Sequence, residues 1–373
     1  MKRVAGTPER RAVFLDRDGT INKEVDLLKR PEELELLEGA AEAVRRLNHA
    51  GYLAVVITNQ SVVARGDVSL EGLDRIHARL EHLLGLHEAH LDRIYACPHH
   101  PDAGVPGEIP EFKIVCDCRK PATGSIDAAC RDMAIGRHES WFVGDTTSDM
   151  EAGRRANLRT ILVQTGYAGR DGKFPFDPDY VVTDLAAAVS WILDGHPALH
   201  QQMTPVAAAA AHARLVTVGG AARGGQSSTA RVLQESMAAL GRTAHIIPLD
   251  SWLKPSTQTP EATDVTARYD VEDMLTTVTH LVGQTEPTAL DLPTYDRAAR
   301  AVHQHRRHVL INPTDLLIVE GAPVPLVDRL MDLADVSVQM GLPDSERKSI
   351  DGNEPVVGAQ ARANFVISAW TTR

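Results

Sequence analysis

No apolar run in this chain of 373 residues approaches the ~18 consecutive residues that cross a bilayer. The opening Met1-Lys2-Arg3-Val4-Ala5-Gly6 has no apolar stretch behind its charges, so the expectation is a cytoplasmic protein. Positive charge is also short: 39 Lys and Arg stand against 50 Asp and Glu, a formal net of −11. Nucleic acids and anionic membranes attract basic patches, so neither is an expected partner. Aromatics make up only 4%, which removes the basic-aromatic clusters that a nucleic-acid end-processing enzyme would carry. Four cysteines are present, and three of them crowd together with histidines, which in a cytosolic chain points to metal rather than disulfides.

What remains is ample material for two ordinary cores, with 43% hydrophobic and 24% charged residues. The first half alternates predicted strands (12–16, 53–58, 93–96, 141–143, 160–163, 180–182) with predicted helices (40–50, 70–84, 125–133, 149–156, 185–193). That alternation predicts an α/β domain with a doubly wound parallel sheet over residues 1–195. Asp194-Gly195-His196-Pro197 breaks the pattern, and 196–212 reads as a linker, partly helical because it is alanine-rich. A second α/β unit, also doubly wound, is expected over 213–373, with strands at 215–218, 244–248, 315–320 and 336–340 and a helix at 228–240.

Chemistry first surfaces at Phe14-Leu15-Asp16-Arg17-Asp18-Gly19-Thr20. If residues 12–16 form a buried parallel strand, alternation puts Asp16 and Asp18 on one side at its carboxyl end, where open α/β sheets bind ligands. Two acids so close need neutralising, and a hard cation such as Mg²⁺ suits carboxylates that also face phosphate oxygens. Alone, the segment also fits a turn that uses Asp and Gly for backbone geometry. Thr58-Asn59-Gln60-Ser61 ends the second strand, Arg119-Lys120-Pro121 offers cations, and Gly144-Asp145-Thr146-Thr147-Ser148-Asp149 ends another strand with two more acids.

Cys97-Pro98-His99 and Cys116-Asp117-Cys118 form two short-spaced ligand pairs, a Cys₃His set suited to tetrahedral structural Zn²⁺, with His100 the rival to His99 and unmetallated thiols the other reading. Cys130 reads as a plain buried thiol. Because Cys118 directly precedes Arg119 and Lys120, zinc there would fix the loop that carries the cation.

In this order, the motifs resemble the haloacid dehalogenase superfamily. Cys-Pro-His-His-Pro followed by Cys-Asp-Cys-Arg-Lys-Pro is similar to its heptose bisphosphate phosphatases over residues 11–193. The resemblance implies Asp16 as nucleophile forming an aspartyl-phosphate, Asp18 as general acid and then base, and Thr58 and Lys120 as holders of the phosphoryl oxygens. It implies Mg²⁺ held by the Asp16 carboxylate, the Asp18 carbonyl and Asp145, with Asp149 orienting Lys120 or a metal-bound water, and it favours His99 as the zinc ligand. Asn59, Gln60, Ser61, Arg65 and Arg119 would face the sugar phosphate, the arginines clamping the phosphate that is not cleaved. The pathway implied is nucleotide-heptose biosynthesis toward lipopolysaccharide, capsule or another glycan. Histidinol-phosphate phosphatases share the zinc pattern with a shorter loop; here sixteen residues separate His99 from Cys116. One departure is Val62, where the family commonly has glycine.

The second half offers Gly219-Gly220-Ala221-Ala222-Arg223-Gly224-Gly225-Gln226-Ser227-Ser228 between a strand and a helix. Counted from Gly220 this is a phosphate loop whose lysine is replaced by Gln226, with Arg223 a substitute from another direction. With Asp250, Asp270, Tyr295 and Glu320 in order, residues 213–342 resemble uridine kinase and phosphoribulokinase-like P-loop kinases. The resemblance implies Asp250 as base, Ser227 and Glu320 beside Mg²⁺, and Asp270 and Tyr295 facing the acceptor. Arg300 stands where uridine kinases carry histidine, and Arg347-Lys348 is the only basic pair for a lid. A degenerate kinase that binds or senses ATP, a scaffold or oligomerisation module, and an active kinase making a bifunctional sugar-phosphate enzyme are the alternatives.

Overall fold

The structure is a computed structural model describing residues 9–102, 104, 106–175, 178–220, 224–254, 266–296, 301–341 and 364–368. The chain divides into two compact units, Met1–Asp194 and Gly195–Arg373.

The first unit runs β1 (Ala12–Leu15), α1 (Ala40–His49), β2 (Leu53–Asn59), α2 (Leu70–Gly85), β3 (Arg93–Cys97), α3 (Gly124–Met133), β4 (Trp141–Gly144), α4 (Thr147–Arg155), β5 (Arg159–Val163), β6 (Tyr180–Val182) and α5 (Leu185–Ser190). Its six strands are parallel in the order β3-β2-β1-β4-β5-β6. Ala12, Val13, Phe14 and Leu15 are all fully buried, as expected of a central strand covered on both faces, which reads as an unbroken apolar run rather than an alternating one. The helices supply the cover: α2 is capped by Ser69 Oγ, which accepts from Gly72 N at 3.1 Å, and buries Leu73, Ile76, Leu80 and Leu84 at helical spacing. Strand order reverses between β1 and β4, so their carboxyl ends open the crevice where such sheets place ligands.

The second unit begins with α6 (His196–Ala209), followed by β7 (Leu215–Gly220), α7 (Gln226–Ala239), β8 (Ala244–Pro248), α8 (Val271–Gly283), β9 (Thr288–Asp296), β10 (Ala301–Ile311), β11 (Leu316–Glu320), α9 (Asp328–Leu333), β12 (Val336–Gly341) and β13 (Phe365–Ser368). Its main sheet is parallel in the order β13-β12-β7-β11-β8, and β9 and β10 form a separate antiparallel pair. The region read as a linker, 196–212, is instead α6 and a 3-10 turn. It buries Leu199, Met203, Val206, Ala207 and Ala210. That spacing makes an apolar helical stripe, so these alanines cover a core face. Pro197 lies in the first turn, where the missing N–H costs nothing.

Candidate active site

The turn after β1 builds the site's centre. Asp16 N donates to Val143 O at 3.0 Å, which ties the end of β1 to β4. The chain then folds back: Ile21 N and Asn22 N both donate to Arg17 O, and Gly19 N donates to Asn22 O. Gly19 has φ +75°, and a Cβ there would lie 2.3 Å from Asp145 Oδ2, so only glycine admits Asp145 to this turn.

Both acids lie beyond the strand, which ends at Leu15, and apart from Arg17, whose backbone serves one and whose side chain serves the other, their side chains take different partners. Asp16 Oδ1 accepts from Arg17 N at 2.7 Å and pairs with Lys120 Nζ at 2.7 Å. Asp18 Oδ1 accepts from Asn22 Nδ2 at 2.8 Å and from Arg17, while Oδ2 accepts from Gln60 Nε2 at 2.8 Å and pairs with Arg17 Nη2 at 2.8 Å. Burial acts to raise the Asp18 pKa, yet the Arg17 charge and these hydrogen bonds bring it below the ordinary value.

Lys120 is 4% exposed, and its Nζ lies 2.7 Å from Asp16 Oδ1, 2.6 Å from Asp149 Oδ1 and 5.7 Å from the centre of the Phe142 ring. Burial acts to lower its pKa, but the Asp149 and Asp16 charges raise it overall, so the lysine stays charged. Asp149 serves twice: Oδ2 accepts from Thr146 N and Thr146 Oγ1 as part of the capping box that starts α4, and Oδ1 faces the lysine. The Lys120 contact is the geometry that one of the two roles the resemblance allowed for Asp149 requires. Asn59, expected to face substrate, instead brackets the lysine's backbone: Lys120 N donates to Asn59 Oδ1 at 2.9 Å and Asn59 Nδ2 donates to Lys120 O at 3.1 Å. An amide carries one acceptor and two donors, which suits it to clasp a peptide group.

Asp16, Asp145 and Asp149 place carboxylate oxygens within 4.8 Å of one another, all buried. Burial first, then Asp149, push the Asp16 pKa up to about 7. Burial, then Asp149 and Asp16, push Asp145 to about 9. Lys120 supplies one positive charge against three carboxyls, and Asp145 Oδ1 is buried without a hydrogen-bond partner. A hard divalent cation fits that donor set.

The loop after β5 closes this side, which sequence reading missed. Thr165 Oγ1 donates to Gly19 O at 2.6 Å, Tyr167 N to Asp145 Oδ2 at 2.7 Å and Gly169 N to Asp145 O at 2.7 Å. A Cβ on Gly166 would lie 2.1 Å from Asp145 Oδ2. Thr165-Gly166-Tyr167 was the available signal, a Gly turn at the carboxyl end of a strand. Sequence reading also passed over Arg17, inside the motif it singled out, and Asn22, two residues beyond it.

Thr58 is 2% exposed at the end of β2, where its Oγ1 accepts from Gln60 Nε2 at 2.8 Å. Ser61 O accepts from Arg65 N. Arg65, Arg119 and Lys113 gather around His100: burial and then Arg119 lower the His100 pKa, with Lys113 and Arg65 adding to it, and burial, with Arg65 a smaller cause, lowers that of Arg119. Arg119 Nη1 donates to His99 O at 3.1 Å.

The cysteine loop brings its four expected ligands together. Sγ atoms of Cys97, Cys116 and Cys118 lie 3.1 to 3.5 Å apart, and His99 Nδ1 lies 3.2 Å from Cys118 Sγ and 3.7 Å from Cys97 Sγ. A tetrahedral zinc with ~2.3 Å Zn–S bonds has edges of about 3.8 Å, so the set is close to a closed zinc site. None of the cysteines is in a disulfide, and burial, then Cys97 and Cys116, raise the Cys118 pKa, a crowding that a bound cation would offset. His100 lies outside the cluster, its Nδ1 accepting from Asp102 N. Cys130 is buried.

In the second unit, Gly220 ends β7, Gly225 caps α7 with φ +88°, and Gln226, Ser227 and Ser228 form the first turn. Gln226 is buried, and Ser227 Oγ donates to Glu320 Oε1 at 3.0 Å at the end of β11. Asp250 follows β8, with Tyr269 OH 3.5 Å from its Oδ1. Asp270, expected to face an acceptor, caps α8 by accepting from Asp273 N at 3.2 Å, the ordinary fate of an Asp just before a helix. Tyr295 lies on β9, and its side chain is outside the described residues, as are Arg223, Arg300, Arg347 and Lys348.

Three buried acids and a buried lysine gathered at the β1/β4 switch point suit a phosphoryl-transfer hydrolase of the haloacid dehalogenase class, and a family profile described as HAD-hydrolase-like matches residues 117–188. A D-glycero-D-manno-heptose-1,7-bisphosphate 7-phosphatase of Thermosynechococcus vestitus is 42% identical over 190 residues, 49% of this chain and 95% of the relative. Its counterpart in Chlorobaculum tepidum is 36% identical over 195 residues, 50% and 96% of the two chains. The chain belongs to the D-glycero-D-manno-heptose-1,7-bisphosphate 7-phosphatase family. Among solved structures, a D,D-heptose 1,7-bisphosphate phosphatase from B. bronchiseptica, complexed with magnesium and phosphate, is 34% identical with TM-score 0.44, covering 50% of this chain and 99% of that one. A possible uridine kinase from Bacillus stearothermophilus is 16% identical with TM-score 0.35, covering 46% and 98%.

Proposed function

We propose that the first unit removes the 7-phosphate of D-glycero-D-manno-heptose 1,7-bisphosphate by way of an aspartyl-phosphate. The observation that carries this reading is the buried lysine between two acids, Lys120 against Asp16 and Asp149, beside a third acid, Asp18, with its own donors. With Oδ1 held by Arg17 N and Lys120, the other Asp16 oxygen attacks phosphorus. The bond from phosphorus to the sugar oxygen breaks, and Asp18 gives its proton to that oxygen. Arrival of the phosphate's negative charge favours a protonated Asp18. Asp18 then takes a proton from water as the water's oxygen attacks phosphorus, and Asp16 is regenerated with release of phosphate. Thr58 and Lys120 steady the transferring oxygens where charge accumulates.

Asp16, Asp145 and the Asp18 carbonyl would hold Mg²⁺, which when bound neutralises phosphoryl charge. Cys97, His99, Cys116 and Cys118 would hold structural Zn²⁺, which steadies the segment leading into Arg119 and Lys120. Ser61, Arg65 and Arg119 would meet the substrate, the arginines with Lys113 forming a basic region for the phosphate that remains; the Gln60 side chain, expected there too, is instead taken up by Arg17, Asp18 and Thr58.

The test is phosphate release from heptose bisphosphates and histidinol phosphate. Asp16→Asn should abolish turnover, by on the order of 10⁴-fold or more, in a protein that still folds by circular dichroism. Release from histidinol phosphate alone would refute the sugar assignment. For the second unit we propose an ATP-binding module with weak or no transfer, supported by the Ser227–Glu320 pair and by Gln226 at the lysine position. Calorimetric titration of the full chain with ATP tests it.

A further inference from the structure

We propose that Arg17 is a positioning residue for the phosphatase reaction, fixing the Asp18 carboxylate on the line along which it passes a proton to the departing alkoxide. The inference rests on the acid/base assignment of Asp18 above.

Arg17 sits between the two acids of the motif yet is fully buried. Its guanidinium grips Asp18 as a fork: Nε and Nη2 donate to Oδ1 at 3.1 and 3.0 Å, and Nη2 also reaches Oδ2 at 2.8 Å. Nη2 further donates to Gln60 Oε1 at 2.9 Å. Gln60 Nε2 in turn reaches Asp18 Oδ2 and Thr58 Oγ1, both at 2.8 Å. Asn22 Nδ2 completes the set on Oδ1 at 2.8 Å.

Both Asp18 oxygens are therefore held from two directions, and one amide ties the acid to the threonine that meets the phosphoryl oxygens. None of these Arg17 bonds runs to Asp16, Thr58 or Lys120. Its zero exposure keeps it from the substrate, so any effect on the reaction passes through Asp18. A buried ion pair is weak as a source of stability, since apolar residues of similar volume do as well or better. What a planar fork supplies that they cannot is a fixed orientation of the carboxylate, and general-acid catalysis is sensitive to small errors of alignment.

Leaving groups separate this role from a structural one. A primary alkoxide needs a proton to depart; p-nitrophenolate does not. kcat/KM reports transfer to Asp16 alone, before water attacks. Arg17→Gln should lower kcat/KM by about 10²-fold or more for the heptose bisphosphate and by less than about tenfold for p-nitrophenyl phosphate. Arg17→Lys, which keeps the charge and loses the fork, should show the same bias in weaker form. Equal losses on both esters, or no loss on either, in a protein that melts as the wild type does, would overturn the proposal. Should Arg17→Gln fail to fold, Gln60→Met removes a donor from the other side of Asp18 and must show the same leaving-group bias. If wild type cleaves p-nitrophenyl phosphate but no heptose bisphosphate, the substrate reading fails instead, and any primary alkyl phosphate it does cleave serves for Arg17.

Discussion

Each unit carries its candidate site at the carboxyl edge of a parallel sheet, and the two differ in where positive charge would come from. In the first, Lys120 is locked between Asp16 and Asp149 at 2.7 and 2.6 Å and its backbone is clasped by Asn59. In the second, the helix that opens after β7 begins with Gln226, and Ser227 beside it donates to Glu320. Backbone amides and a helix N-terminus suffice to hold an anion. Stabilising the charge that develops during transfer takes a preorganised cation. Holding phosphate and moving it are thus separable demands, and the first unit is built for both.

The comparison breaks most sharply at the lysine. Lys120→Met should cost about 10²- to 10³-fold in kcat and leave Asp16 and Asp149 facing each other unpaired. A variant within tenfold of wild type in steady-state assays would put the essential cation elsewhere. Next in size is the zinc loop. Cys118→Ser should abolish stoichiometric zinc by elemental analysis and lower activity about 10- to 100-fold, since Cys118 precedes Arg119 and Lys120 and its carbonyl accepts from Ser125 Oγ at 3.1 Å. Full activity without zinc would detach the metal from the cation it is read to support.

A smaller effect concerns pH and Mg²⁺. Asp16 and Asp145 have pKa values raised to about 7 and about 9, burial being the main cause. Such groups keep their protons in the folded state after the unfolded chain has lost them. The metal-free protein is therefore most stable, on this account, below the unfolded carboxyl range and weakens as pH rises through those values. Mg²⁺ must displace the same protons, so its affinity should climb up to about tenfold per pH unit for each proton released. Thermal melts should show a larger Mg²⁺ stabilisation at pH 8.5 than at pH 5.5; equal shifts would contradict this account. Smallest is the attempt to make the second site resemble the first: Gln226→Lys should tighten ATP binding about tenfold, or ~1.4 kcal/mol, by calorimetry. No change would place the weakness of that site outside its missing lysine.

Much of the first unit was legible because its signals are local. Four consecutive apolar residues before Asp16, in a chain that alternates strands and helices, suit a doubly covered strand, and Cys-x-His with Cys-x-Cys places ligands within one turn of chain. The roles of Arg17, Asn59 and Asp149 were less legible, because each depends on what faces it across the sheet edge. Asn59 and Asp270 show the limit: as letters they fit substrate contacts, and in the fold one clasps a lysine peptide and the other caps a helix. Residues 196–212 show it again, since alanine-rich sequence looks like a linker until a core face needs small side chains to cover it.

By itself the sequence determined the alternation of strands and helices, the sites at strand ends and the identity of the reactive groups, since periodicity and side-chain chemistry travel with the chain. Only the tertiary structure decided which partner each group has. Asp16 and Asp18 stand two residues apart, yet one is raised toward neutrality and the other held ionised, because charge and hydrogen bonding at a buried group are set by neighbours that arrive from residues 17 to 149.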